Sequence, residues 1–137
     1  ASDPLGMPSN GGASIPLIHQ MIARHGRPSA ICPHATGTAV HATSEPAALN
    51  SVFKADPIPS LHLLKPFIGH TIGASGLVES AILAAFLGKG KLTPNLPGRC
   101  STGSFILPDT GLDASGLLFK LSHSMGGHNA LLVLAPP

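Results

Sequence analysis

Tryptophan and tyrosine are absent from this 137-residue chain, and phenylalanine occurs only five times. No Trp or Tyr is there to stack on bases, and the eight Lys and Arg stand against six Asp and Glu without a basic run, which excludes nucleic acid as a partner. Charged residues make up 10% of the chain, against roughly 25% in an ordinary soluble domain. So little polar cover implies that part of the surface meets another protein. Cysteine is scarce as well: Cys32 and Cys100 form neither a disulfide framework nor a CxxC pair, so reduced thiols and a cytoplasmic location are expected. Long apolar runs are missing. The longest, GLVESAILAAFLG, is 13 residues and contains Glu79, short of the ~18 needed to cross a bilayer. Neither a membrane span nor a signal peptide is expected.

What is present is 43% hydrophobic residues at a mean hydropathy of +0.31, enough for one core and so for one domain or a piece of one. Fourteen prolines and sixteen glycines punctuate an alternation of helix-like and strand-like segments. The stretch 11–26 has Ile15, Ile18, Met21 and Ile22 at helical spacing. SAIC (29–32) is a short apolar strand that ends at the loop PHATGT, and Ser44, with Glu45 and Pro46 in the first turn, opens a second helix through Phe53. SLHLL (60–64) repeats the order: a strand, a glycine-rich loop KPFIGHTIGASG, then a helix over about 75–87 that stops at GKGK. A Pro- and Gly-rich connection over 93–111 leads to two strands, LLFKLSHS and NALLVLAP, around the turn MGGH. The pattern predicts an α/β architecture with helices layered on a sheet.

Several motifs can be set aside. GKGKL has Leu92 where a phosphate-binding loop needs Ser or Thr for magnesium. Glycines 69, 73 and 76 have the wrong spacing for a dinucleotide fingerprint. Eight histidines include no pair at HxH or HxxxH spacing; His19, His25, His41 and His62 read as surface or packing residues, and no metal site is expected. No GxSxG elbow surrounds any serine. Two strand-end loops remain, carrying His34 and His70, with Lys65 just before the second. Ligands of layered α/β sheets sit outside the carboxyl ends of the strands, so two such loops can bring two imidazoles to one point. Either histidine alone could equally cap local backbone.

PHATGT followed by Glu45, then KPFIGHTIGASGLVESA, then KLSHSMGGHNALLVL, in that order and over nearly the whole chain, resemble the C-terminal half of a β-ketoacyl synthase of the thiolase-fold condensing enzymes. The resemblance implies a layered thiolase-like fold, C-terminal half only, with a mixed sheet and helices on its faces. It also implies that residues 1–137 lack the N-terminal half with the nucleophilic cysteine. The reaction implied is decarboxylative Claisen condensation of an acyl thioester with malonyl-acyl carrier protein, in fatty acid or polyketide synthesis.

In that reaction His34 and His70 would donate hydrogen bonds to a thioester carbonyl as charge gathers on its oxygen. Lys65 would be the buried lysine of the site, paired with Glu45 as its structural support. Thr36 and Thr38 would contact the phosphopantetheine arm of acyl carrier protein, or else close a turn. Met125 would stand at the gate phenylalanine. No cofactor would be permanently bound. The implied partners are acyl carrier protein and the N-terminal half or a ketosynthase partner chain, in a homo- or hetero-dimer. Ala42 replaces a common acid, and the closing glycine loop, from His123 to Asn129, is shortened. Those departures favour an alternative, a non-catalytic partner similar to a chain-length factor. Cys32, at a strand end, is expected to pack rather than attack.

Overall fold

The computed structural model describes residues 12–54, 59–96, 112–124 and 127–137. The first helix, α1 (Ser14–His25), turns Ile18 inward, with Met21 and Ile22 partly buried beside it. Gly26 ends it at φ 92, a backbone angle that side chains disfavour, and its N–H bonds the Ile22 carbonyl. The remaining elements are β1 (Ala30–Cys32), α2 (Ala39–Phe53), β2 (Ser60–Leu61), α3 (Lys65–Ile68), a 3-10 turn (Ile72–Ala74), α4 (Ser75–Gly88), β3 (Lys91–Leu92), β4 (Leu112–Asp113), β5 (Leu118–His123) and β6 (Asn129–Leu134).

Four strands make a mixed sheet in the order β2-β1-β5-β6, with β1 parallel to both of its neighbours and β5 antiparallel to β6. Strand alternation then sorts the core into two layers. Ile31, Phe119 and Leu121 face Ile18 of α1 and Leu49 and Phe53 of α2. Ala30, Cys32 and Leu118 face Leu83 and Leu87 of α4. The expected mixed sheet with helices on its faces is therefore present. No described helix is long and apolar enough to cross a membrane.

Three local expectations need correction. Helix α2 begins at Ala39, not Ser44, and Pro46 lies inside it. Ser-Glu-Pro mimics a helix start; the true first turn is held by the Ala42 N–H on the Thr38 carbonyl and by the Thr43 hydroxyl on that of Ala39. The strand expected over 60–64 pairs only at Ser60 and Leu61. Beyond it the Asn95 side chain takes the place of a neighbouring strand, accepting the Leu63 N–H at 2.8 Å and donating to the Leu61 carbonyl at 2.9 Å. The loop KPFIGHTIGASG contains α3 and the 3-10 turn, and β3 pairs antiparallel with β4 beyond the α4 stop.

Candidate active site

The two histidine loops leave the carboxyl ends of parallel β1 and β2, and a buried glutamate shapes the first. Glu45 Oε1 accepts the His34 N–H at 2.6 Å and Oε2 the Ala35 N–H at 2.7 Å. Ala35 sits at φ 46 and Gly37 at φ 77, so successive N–H groups cup the carboxylate in the manner of a backbone nest. The conformational strain at Ala35, a non-glycine residue, is offset by that pair of charge-assisted bonds. Burial raises the Glu45 carboxyl above its ordinary value, and the N–H groups of Ala35 and His34 offset only part of the rise.

The clamp aims His34 into a cluster of imidazoles. Its ring centroid is 5.4 Å from that of His70, with the planes at 88°. It is also 4.8 Å from His41 and 5.4 Å from His123, and the last two rings stack at 5.5 Å. Burial, followed by the nearby charges of Lys65 and of neighbouring imidazoles, lowers His34 to about 2. Burial, His41 and the two lysines lower His123 to about 3. Both rings are neutral at physiological pH. Beside them lies a cavity of about 300 Å³, walled by His34, Ile72, Ser75, His123, His128 and Asn129 among others. Among the described residues His34 is the one expected site residue in that wall; His70 is exposed and adjoins His34 without lining the cavity.

Lys65 is buried but does not pair with Glu45. Its Nζ lies 2.5 Å from Glu79 Oε1, while Lys120 Nζ takes Glu79 Oε2 at 2.8 Å. Sheet register explains the choice: Lys120 is level with Cys32 on the face that α4 covers. Along α4, Ser75, Glu79, Leu83 and Leu87 form one buried stripe that puts its carboxylate at the site end and its leucines in the core. Burial pushes Glu79 up, but hydrogen bonds from Lys120, Lys65 and Ser75 outweigh it and hold the carboxyl below its ordinary value. The same Glu79 orders His70. Ser75 donates its hydroxyl to Glu79 Oε1 at 2.5 Å, so its oxygen receives the His70 Nδ1–H at 3.2 Å.

The Thr36 and Thr38 hydroxyls are 3.2 Å apart and bond each other at the entry to α2. Met125 and Cys100 lie outside the described residues. Cys32 packs in the core, and burial pushes its thiol up to about 12 against the pull of Lys120, which leaves no thiolate to attack. Sequence reasoning missed Glu79, Lys120, His41 and Ser75 as site residues and saw His123 only as a departure. Two signals existed: a lone acid inside an apolar run demands a partner, and so does a lysine within the apolar LFKL of a strand buried on both faces.

No curated protein matches the chain. Among solved structures it is similar to the ketosynthase of a type II polyketide synthase, determined with its acyl-carrier protein and bound to the hexaketide, at a TM-score of 0.82 and 21% identity, over 98% of this chain and 36% of that one. It is also similar to ketosynthase twelve of the bacillaene polyketide synthase of Bacillus amyloliquefaciens, at 0.78 and 21% identity over 95% of this chain and 26% of that one. The ketosynthase from module 1 of the bacillaene synthase gives 0.73 and 18% identity, over 97% and 27%. The chain thus spans about a third or less of these relatives' length, and the likeness establishes the thiolase-like ketosynthase fold. The family model for the β-ketoacyl synthase C-terminal domain matches residues 6–99, and the chain belongs to that family.

Proposed function

We propose that the chain supplies the histidine and lysine side of a condensing site, where an acyl thioester and malonyl-acyl carrier protein undergo decarboxylative Claisen condensation. The observation that carries this reading is the approach of the His34 and His70 rings to 5.4 Å on two separate strand-end loops. A neutral His34 can donate to a thioester carbonyl oxygen as negative charge develops there. His70, held through Nδ1 by Ser75, turns Nε2 to the reacting group; Lys65 acts through Glu79 and Ser75 to orient that ring. Thr36 and Thr38 guide the phosphopantetheine arm. The acyl carrier protein seen with one structural relative supports such a protein as the substrate carrier.

The attacking cysteine comes from an N-terminal half or partner chain, which covers the exposed Phe67, Ile68, Ile72 and Leu77 around the second loop. Ala42 and the imidazole of His123 beside His34 favour the second reading, a chain-length-factor-like partner without chemistry of its own. With the assembled protein, His34→Ala is expected to cut condensation by ~10²–10³-fold, the loss typical of one oxyanion donor, and His70→Ala by ~10²–10⁴-fold, as for a positioned acid–base group, with a smaller effect on acyl loading. Unchanged condensation, or acyl label on Cys32 or Cys100 in peptide mapping, contradicts the proposal.

A further inference from the structure

Beyond the condensing chemistry, we infer that His41, Glu45 and His123 form a binding site for a divalent transition-metal ion of the zinc class. His41 and Glu45 stand four apart on α2 and so share a helix face. His123 closes the site from the end of β5. One ligand atom from each lies within 4.8 Å of the other two.

A count of protons shows why an ion belongs there. Asn129 Nδ2 donates to the Gly127 carbonyl at 2.9 Å, which fixes the amide so that Oδ1 faces Ser14. Ser14 gives its one hydroxyl proton to that Oδ1 at 3.2 Å. Its oxygen, 3.1 Å from His123 Nε2, must then accept that ring's N–H. In the tautomer that this bond sets, Nδ1 is the lone-pair nitrogen, and it faces Glu45 Oε1 at 3.7 Å. Two electron-rich atoms thus confront each other in a buried site. His41 Nδ1 and His34 Nδ1 are likewise buried without hydrogen-bond partners among the described residues. Orphaned acceptors of this kind are costly, and one cation satisfies several together.

The donor set suits a borderline metal. Two imidazoles and one carboxylate with an open fourth position is a recognised zinc arrangement, and bonds of ~2.0–2.2 Å put tetrahedral ligand atoms ~3.4 Å apart. Glu45 Oε1 and His123 Nδ1 are already close to that spacing. The outer contacts are also in place: Ser14 on the far nitrogen of His123, and the N–H groups of His34 and Ala35 on Glu45. A carboxylate oxygen that accepts one N–H keeps a further lone pair for a metal. Lys65 and Lys120, whose charges reach Glu45 and His123, have Glu79 as their shared counter-ion.

Titration of the chelator-stripped protein with Zn²⁺, and separately with Co²⁺, tests the site. One ion per chain is expected, with the intense visible absorption of four-coordinate cobalt. His41→Ala and His123→Asn should each weaken binding by more than the ~10–100-fold that outer-shell partners are worth, and His25→Ala, at the exposed end of α1, should leave it unchanged. Zinc-edge X-ray absorption of the unsubstituted protein gives a readout independent of whether the variants fold, and should show two imidazoles with oxygen donors. Failure to bind zinc, as when a proton alone joins the two lone pairs, would overturn the assignment. So would sulfur or a single imidazole in the zinc shell, or equal affinity in folded His41→Ala and His123→Asn.

Discussion

His62 is fully buried with no hydrogen-bond partner among the described residues for either ring nitrogen, and it meets Phe86 edge-on with centroids 6.1 Å apart. Burial lowers it from 6.5 to about 4. Because the folded value lies below the unfolded one, the fold favours the neutral ring, and stability is full above pH 6.5. It is lost as pH falls through the interval down to about 4, with a slope that approaches ~1.4 kcal/mol per pH unit. His62→Leu should remove this acid-sensitive component and, by relieving two orphaned nitrogens, raise stability by ~1–3 kcal/mol even at neutral pH. Thermal melts of both proteins across that range check it; parallel acid slopes would contradict it. Nothing in SLHLL distinguishes this histidine from an exposed one, since its burial depends on Asn95 folding back along the sheet edge.

Helices α2 and α4 are built alike, each with a glutamate at the site end of a buried stripe: Glu45, Leu49 and Phe53 in one, Glu79, Leu83 and Leu87 in the other. The leucines fix the helix on the sheet, and the sheet fixes which polar group each glutamate meets. Glu79→Ala leaves Lys65 and Lys120 buried without their shared carboxylate and should cost ~3–5 kcal/mol. Glu79→Gln, which keeps an acceptor, should cost less. Denaturant unfolding of the two variants decides this, and an equal, small loss in both would mean that the lysines find other partners. The extent of α4 could be read from its apolar run and glycine stop. The partner of Lys65 could not, because Glu45 and Glu79 are equally plausible along the chain, and only the register of Cys32 with Lys120 and the clamp on the His34 loop separates them. The start of α2 was hidden for a different reason: its first turn is held by the Ala42 N–H on the Thr38 carbonyl and the Thr43 hydroxyl on that of Ala39, with no side-chain cap to mark it, while Ser44-Glu45-Pro46 imitates a helix start.

Across the whole molecule, parallel β1 and β2 deliver two loops to one edge of the sheet, α2 and α4 anchor a carboxylate behind each, and β5 supplies Lys120 and His123 from below. The order of the motifs made the fold class and the His34 and His70 loops legible, since both follow from strand, loop and helix succession. The surrounding cluster of His41, His123, Ser75 and Lys120 was not, since it exists only once four strands and three helices are packed. Exposed Ile72 and Leu77 at the same edge fit a site completed by another polypeptide segment. The central claim is that His34 and His70 act on one reacting group. A double-mutant cycle on decarboxylation of malonyl-acyl carrier protein by the assembled protein, with His34→Ala, His70→Ala and both together, tests it most directly. The account predicts that the double variant is little worse than the poorer single one, as for residues that act as a unit; losses that multiply independently, or single variants that lose nothing, would contradict it.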